Sequence, residues 1–297
     1  MVNYNALNKE VRVTDRSLRF TTVRLFGDMR TAATQYIRGL NTRSESRSCR
    51  GISDTKPPTN VRYEYGPLRA YILNRDLGYR FEVEPATHAY TAFRVNEHGS
   101  PAWAKPRKYE PAKRSGKTIH HYIDTIDTGE RRELFGYTAR RVVTRTREMQ
   151  DSQTLSESES DGWYIDPPAA WANLHPPPKV GTFYHVTVGT GARDDHKFTE
   201  TGKRETGFTL LATRTDRFSL KEETGNLRTH ERVIREEVTE FSEAPLGPDL
   251  FVPPLDFKRV LQLSDGVPYA LPHRLRLRWE ILKDSLSLPN RIAKFTA

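Results

Sequence analysis

The chain has 297 residues, 36% of them hydrophobic and 29% charged, with a formal net charge of +9. No stretch approaches the roughly 18 to 20 consecutive apolar residues that a membrane-spanning helix needs, so none is predicted. The 47 basic residues are interleaved with 38 acidic ones. Because neither a zinc-finger spacing nor an RNA-recognition motif accompanies them, we expect a charged surface and no nucleic-acid partner.

The chain has a single cysteine, Cys49, which excludes an internal disulfide and a structural zinc site built on cysteines. The first residues, Met1–Asn5, lack the charged-then-apolar pattern of a secretory signal. The sequence alone therefore leaves two alternatives open, a cytoplasmic protein and the mature or truncated form of an exported one.

Most of the chain consists of short segments in which apolar and polar residues alternate. This period of two indicates strands that have one packed face and one solvated face. We therefore predict a mainly β (α+β) fold built on a single large curved antiparallel sheet, a half-barrel. The clearest segments are Val11/Val13, Leu18/Phe20, Tyr63/Tyr65, Tyr71/Leu73, Tyr79/Phe81/Val83 and Phe208/Leu210/Ala212.

Two stretches nearly repeat each other. Residues 128–138 and 201–209 each have Thr-Gly, a charged run and then Gly-aromatic-Thr. Residues of this kind favour tight turns, and we predict turns at Asn74–Asp76, Asp127–Gly129 and Thr224–Asn226. The echo indicates two related halves of one sheet, residues 61–149 and 163–260. We expect one β domain over residues 1–260 and a helical tail over 261–297.

Three long loops are predicted, at residues 43–60, 98–116 and 150–178. Within the last, Gln150–Asp161 is acidic, rich in serine and without apolar anchors, which is typical of a mobile loop.

Residues 163–178 combine aromatic residues with five prolines, and proline argues against a central strand. The segment is interpreted as a flap over the open face of the sheet, or else as a loop that closes the sheet edge. Its candidate lipid- or partner-binding residues are Trp163, Tyr164, Trp171 and Leu174.

The C-terminal tail has large apolar residues at spacings of 4, 4, 3 and 4, which predicts an amphipathic helix that begins near Pro272 and ends at Pro289. Basic residues flank the apolar stripe. The helix therefore lies on an anionic membrane surface or docks on the protein's own sheet. The candidate residues are Leu271, Arg274, Leu275, Arg278, Trp279, Leu282 and Leu286.

Catalytic and metal-binding patterns are missing from the sequence. His120 and His121 are adjacent, so in a strand they point to opposite faces. His121 with Asp124, or His185 with the turn at residues 194–196, supplies only a pair of ligands where a metal needs three or four. We therefore predict no catalytic residue, no metal and no cofactor.

Four segments resemble bacterial proteins of the lipoprotein-sorting superfamily, the LolA/LolB-like carriers and receptors. Gln35–Arg43 resembles an early strand of the family, and Pro85–Thr91 a strand end. Residues 128–140 are similar to its Thr-Gly turn and following strand, and Leu250–Val260 to its closing Phe-x-Val-Pro segment.

This resemblance implies a periplasmic or cell-envelope half-barrel whose apolar concave face holds an acyl chain. The leading hypothesis is therefore a non-enzymatic binding protein for a lipid or a lipid-modified partner. The alternative is a structural or scaffold protein that binds a protein partner or a membrane surface through the sheet and the C-terminal helix. A hydrolase with residues scattered over the sheet is the third hypothesis.

Overall fold

A computed structural model describes residues 16–52, 62–96, 99, 114–150, 153–174, 192–221, 227–263 and 287–296. All the strands among these residues belong to one open sheet of thirteen strands. In chain order they are β1 (Ser17–Phe26), β2 (Met29–Arg38), β3 (Asn41–Ile52), β4 (Arg62–Asn74), β5 (Tyr79–Glu84), β6 (Ala89–Arg94), β7 (Arg114–Leu134), β8 (Tyr137–Gln150), β9 (Gln153–Ile165), β10 (Ala192–Thr201), β11 (Phe208–Lys221), β12 (Leu227–Ser242) and β13 (Lys258–Arg259).

The strand order across the sheet is β10-β7-β8-β9-β11-β12-β1-β2-β3-β4-β5-β6-β13. The outermost pairs, β10 with β7 and β6 with β13, are parallel, whereas the pairs between them are antiparallel. The predicted mainly β fold with one large sheet is confirmed. The parallel outer pairs make the sheet mixed, because the chain reaches β10 and β13 through long connections rather than hairpins.

The sheet has a hydrophobic core on each face. Tyr36 of β2 packs against one cluster, which includes Tyr79, Phe81 and Phe251, while its neighbour Ile37 belongs to the other. Successive residues of a strand point to opposite faces. The first cluster, over β4 to β6, and the second, over β1, β2, β8, β9, β11 and β12, therefore lie on opposite sides of the sheet.

Two helices cover these cores. Helix α1 (Ala169–Leu174) lies on the second cluster and helix α2 (Ser287–Thr296) on the first. In α2, Leu288 and Ile292 are buried, and Arg291 donates to the carbonyl of Leu77 at 2.9 Å. None of the described helices is both long enough and apolar enough to span a membrane.

The C-terminal helix is observed later in the chain than its predicted span. The predicted helix and its candidate residues, from Leu271 to Leu286, lie outside the described residues. Pro289, which was expected to end that helix, lies in the first turn of α2. The amide groups of a first turn have no partner within the helix, so proline costs little there.

The predicted loop over residues 150–178 is also wrong. The acidic, serine-rich segment forms β9, which pairs with β8 and β11 in the interior of the sheet, and α1 follows it. Glu157 and Glu159 accept hydrogen bonds from Arg147 and Arg145 of β8, both at 2.7 Å. The part of β9 that lacks apolar residues is stable here because arginines of the neighbouring strand compensate its charge.

Parts of the other two predicted loops are strands. β3 extends to Ile52 and so occupies the first part of the 43–60 loop, and β7 begins at Arg114, inside the 98–116 loop. In both cases the missed strands are polar on at least one face. β3 pairs with the neighbouring strands β2 and β4, and β7 pairs with β8 and with the more distant β10. Most of the remaining loop residues lie outside the described part of the chain.

The two echoed segments have different structures. Gly129, with φ of +82°, forms an irregularity within β7, and the chain reverses instead at Phe135 and Gly136, with φ of +51° and +80°. Both positive φ values are typical of a two-residue hairpin turn. Gly202, by contrast, follows the end of β10. The predicted turn at Asp127–Gly129 is therefore wrong.

The prediction of two related halves also fails, because the strands of residues 61–149 are divided between opposite ends of the sheet. The two similar segments do not come from a duplicated unit. They are similar because each places a glycine with positive φ beside a strand. The turn after Asn74 is confirmed at residues 75–78, and the predicted turn at Thr224–Asn226 lies outside the described residues.

Candidate binding face

Two cavities lie on the same face of the sheet, next to each other along β12. Arg232 and Glu236 belong to a stretch of β12 that pairs with β11 without irregularity, so they point to the same face, about 13 to 14 Å apart. A cavity of about 300 Å³ lies at Glu236 and one of about 400 Å³ at Arg232. We name them the Trp171 groove and the serine cavity.

The Trp171 groove has an aromatic wall on one side and polar residues on the other. The rings of Trp171, Phe20 and Phe208 meet edge to face, with centroids 5.0 to 5.6 Å apart. Opposite them, Arg24 donates to Glu236 from Nε at 3.1 Å and from Nη2 at 2.6 Å. The remaining lining residues are Thr22, Thr31, Ala33, Gln35, Gly207 and Thr209.

Helix α1 holds Trp171 in this wall. The amide of Ala172 donates to the carbonyl of Pro168 at 2.9 Å, so the helix begins at the residues that follow β9. Pro168 and Ala170 are buried beneath it. The tryptophan is therefore part of a packed cluster that forms one side of the groove.

Tyr164 lies between the groove and the serine cavity. Its ring covers Gly162, where an added Cβ would lie 2.9 Å from Cε2 and Oη of the tyrosine. Its hydroxyl is 3.5 Å from the hydroxyl of Ser160, which lines the serine cavity. Burial raises the pKa of Tyr164, and the nearby charge of Glu236, at the groove, adds to this effect.

The serine cavity has a hydroxyl-rich floor. β8 and β9 are adjacent, and their paired residues Thr146/Ser158 and Thr144/Ser160 point into it. Phe218 and Glu148 line its far end, where the hydroxyl of Ser156 donates to Glu148 at 2.8 Å.

A buried carboxylate organises the charged side of the serine cavity. Asp216 has a side chain only 8% exposed, and it accepts Arg214 Nε at 2.6 Å and Arg232 Nη2 at 2.7 Å. Burial by itself raises the pKa of Asp216, but the hydrogen bonds from Arg232 and Arg214 outweigh it and hold the pKa below its usual value. The carboxylate is therefore ionised at neutral pH.

A row of aromatic and polar residues crosses the sheet beyond this cavity. His121 stacks on Phe198 with centroids 4.6 Å apart, and its Nε2 is 2.7 Å from Nδ1 of His196. His121 Nδ1 lies 3.4 Å from Glu148. The members that lie opposite one another on successive strands are Phe198, His121, Glu148, Ser156, Phe218 and His230.

The histidine contacts in this row differ from the two metal-ligand pairs that were considered from the sequence. His121 pairs with His196 rather than with Asp124, and His185 lies outside the described residues. Among the described residues, no group of three or more histidine, cysteine or acidic side chains is placed to hold a metal ion. The contact between His121 and His196 depends on the parallel register that joins β7 and β10. The pattern of either strand alone does not indicate this register.

The opposite face of the same strands carries a ladder of ion pairs. Arg217 follows Asp216 in β11, so it points to the other side, where it donates to Glu231 at 2.8 Å. The pairs Arg145–Glu159 and Arg147–Glu157 lie on the same face. A cavity of about 320 Å³ lies over these residues, but its arginines are matched by carboxylates.

The four candidate residues predicted from residues 163–178 lie at different places in the structure. Trp163, Trp171 and Leu174 pack against the second core. Trp171 lines the groove, and the hydroxyl of Tyr164 lies 3.5 Å from that of Ser160 at the serine cavity. Trp163 lies in β9 and is covered by Arg132, whose guanidinium carbon is 4.8 Å from the ring centroid. Trp163 and Tyr164 are therefore strand residues and do not belong to a flap.

The charged residues of the serine cavity were missed from sequence. Asp216, Arg214 and Arg232 come from β11 and β12, and none of them was among the predicted site residues. The usable signal was Arg214 and Asp216 at i and i+2, which places opposite charges on one face of a strand.

Comparison with protein-family models found no match, and no curated protein is similar at a significant level. Among solved structures, the chain has a similarity to the crystal structure of MucB in complex with MucA(peri), with 10% identity over 79% of this chain and 93% of that one. The TM-score is 0.09, so this similarity carries no argument about fold or function.

Proposed function

We propose that the protein is a non-enzymatic binding protein for an elongated amphiphile, a lipid or a lipid-modified partner. The observation that supports this proposal is the pair of cavities on one face of the sheet. The Trp171 groove has an aromatic wall, and the serine cavity is lined by hydroxyl and charged groups. An acyl chain occupies the groove against Trp171, Phe20 and Phe208. The polar end of the ligand extends past Tyr164.

Energetic magnitudes favour an amphiphile over a bare alkyl chain. Each buried methylene contributes about 0.8 kcal/mol, so eight contribute roughly 6 kcal/mol. Association costs about 4 to 15 kcal/mol in lost freedom. A chain of this length therefore binds weakly unless polar contacts add to it, and the polar cavity next to the groove supplies them.

The proposal modifies what the family resemblance implied. An apolar concave face was expected, whereas α1 packs over part of this face and the groove beside it is polar on one side. The resemblance adds the expectation that binding takes place in the cell envelope.

Two neighbouring alanines give a matched test. Ala33 lines the groove, while Ala32 of the same strand is exposed on the opposite face. In Ala33→Trp the indole fills the groove, and we expect the affinity for a fluorescent monoacyl lipid to fall by about ten-fold or more. Ala32→Trp keeps the wild-type affinity. Equal binding by wild-type protein and Ala33→Trp would show that the chain does not occupy the groove.

A further inference from the structure

We infer that the serine cavity binds a phosphate monoester, the anionic head group of the amphiphile, on Arg214 and Arg232. This inference rests on the proposed function, because it assigns the polar end of the same ligand. Three properties of the two arginines support it: their charge, their N–H donors and their position.

Asp216 fixes both guanidinium groups but neutralises only one charge. Its side chain is 8% exposed, whereas those of Arg214 and Arg232 are 55% and 44% exposed. A buried carboxylate thus holds two partly exposed cations side by side at the cavity. Their unbalanced charge favours an anion between them and the solvent.

The two guanidinium groups retain donors for such an anion. Within the described part of the chain, Arg214 contacts Asp216 through Nε, and Arg232 through Nε and Nη2. Both arginines line the cavity. Guanidinium groups match the oxygens of a phosphate with paired hydrogen bonds, and they keep their charge at any physiological pH.

Hydroxyl groups complete the surroundings of the anion. Ser158 and Ser160 lie directly opposite Asp216 and Arg214 on β9, and Thr144 and Thr146 lie behind them on β8. The hydroxyl of Ser158 donates to Asp216, so Ser160 and the two threonines supply the hydroxyl donors for phosphate oxygens.

Two other acidic residues line the cavity, Glu148 and Glu157, and each has partners of its own. Glu148, at the far end of the cavity, accepts the hydroxyl of Ser156 and faces His121. Glu157 also lines the cavity, where its charge is balanced by Arg147 at 2.7 Å.

The arginines lie at the correct end of the groove. Ala212 pairs with Glu236, and Arg214 is two residues farther along β11, so it follows the groove by about 7 Å on the same face. A head group that leaves the groove past Tyr164 meets Arg214 first and Arg232 next. A cavity of about 400 Å³ is in the size range of small-ligand sites.

Three probes separate the two ends of the ligand. They are a lysophosphatidate, the monoacylglycerol of the same chain length, and glycerol 3-phosphate. For the wild-type protein we expect lysophosphatidate to bind about ten-fold or more tightly than monoacylglycerol, as one charge-assisted contact implies. Arg214→Gln and Arg232→Gln remove this preference and leave the affinity for monoacylglycerol unchanged. Arg145→Gln, whose side chain pairs with Glu159 on the opposite face and is not among the residues that line the serine cavity, keeps the preference.

The outcomes distinguish this inference from the proposed function. Equal wild-type affinity for lysophosphatidate and monoacylglycerol overturns the head-group site and leaves the acyl groove standing. Glycerol 3-phosphate bound as tightly as lysophosphatidate supports the phosphate site and overturns the acyl groove. Binding of none of the three probes overturns both. The far-ultraviolet circular dichroism of each variant verifies that it is folded. If Arg232→Gln does not fold, Arg214→Gln, which changes a more exposed side chain, tests the head-group site by itself.

Discussion

The phenol of Tyr137 donates a hydrogen bond to Glu243 at 2.7 Å and thereby connects the start of β8 with the segment that follows β12. The tyrosine ring also meets Phe241 edge to face, with centroids 5.4 Å apart. The hydrogen bond to Glu243, with partial burial, raises the pKa of Tyr137 to about 12. We therefore expect the contribution of this hydrogen bond to the free energy of unfolding to change at alkaline pH.

An unfolded tyrosine ionises near pH 10, and folded Tyr137 near pH 12. Because the folded state holds the proton more tightly, its contribution to stability is complete below pH 10 and is lost as the pH rises towards 12. We expect Tyr137→Phe to lower the free energy of unfolding by about 1 kcal/mol or less, since solvent screens this exposed pair. Urea unfolding from pH 7 to pH 12 measures it.

The stability difference between wild-type protein and Tyr137→Phe should shrink between pH 10 and pH 12. A difference that stays constant across this range would show that the hydrogen bond does not control the ionisation of Tyr137.

Asp216→Asn should destabilise the protein in a pH-dependent way. The lowered pKa of Asp216 means that its contribution is present above the ordinary aspartate pKa of about 3.9 and is lost as the pH falls through the lower folded value. At pH 7 we expect a loss of about 1.5 to 3 kcal/mol, because two charge-assisted hydrogen bonds are weakened. Urea unfolding at pH 7 and in steps below pH 4 measures the loss.

Asp256→Asn is the control for this prediction, because Asp256 is 71% exposed. It should change the stability by less than about 0.5 kcal/mol. Equal effects of the two substitutions would contradict the role assigned to the Asp216 cluster.

Gly202→Ala should cost much more than Gly136→Ala. Both glycines have φ near +80°, so each substitution adds backbone strain of about 1 kcal/mol. An added Cβ at Gly136 meets open space, whereas at Gly202 it lies 1.9 Å from the carbonyl oxygen of Thr125 in β7. The end of β10 must therefore move away from β7.

Thermal unfolding of the two glycine variants measures this difference. We expect a melting temperature for Gly202→Ala several degrees below that of Gly136→Ala. Similar melting temperatures would show that β10 adjusts without cost.

Arg140→Gln should destabilise the protein more than Arg145→Gln. Arg140 donates to both oxygens of Glu205, at 2.9 and 2.7 Å, and the Glu205 side chain is 10% exposed. Removing Arg140 leaves that carboxylate buried without its cation, at a cost of about 1.5 to 3 kcal/mol. The Arg145–Glu159 pair is exposed, so its loss costs less than about 1 kcal/mol. Urea unfolding at pH 7 compares the two variants, and equal losses would contradict the importance of burial.

Local pattern predicted described strands in which only one face is apolar, whereas the predicted strand at Val11/Val13 lies outside the described residues. In β5, Tyr79, Phe81 and Val83 alternate with polar residues, and all three are buried as predicted. In β4 both faces carry apolar residues, and the buried pair is Ala70 and Ile72 rather than Tyr71 and Leu73. The sheet buries the face that meets Phe251 and α2, and this choice depends on distant segments.

Strand β9 marks the limit of prediction from local pattern. Ser156 to Ser160 alternate with glutamates, but neither kind of residue is apolar, so the segment was interpreted as a loop. Its stability depends on Arg145 and Arg147 from one neighbouring strand and on the Asp216 strand from the other.

The sequence by itself determined the mainly β class, the single large sheet and a C-terminal helix, because period-two alternation and helix-forming composition are local properties. Only the tertiary structure decided which faces are buried and where cavities form. Phe20, Trp171 and Phe208 make one wall of the groove although they lie far apart in the chain. Their contact depends on strand order and register, which follow from the free energy of the whole sheet rather than from any one segment.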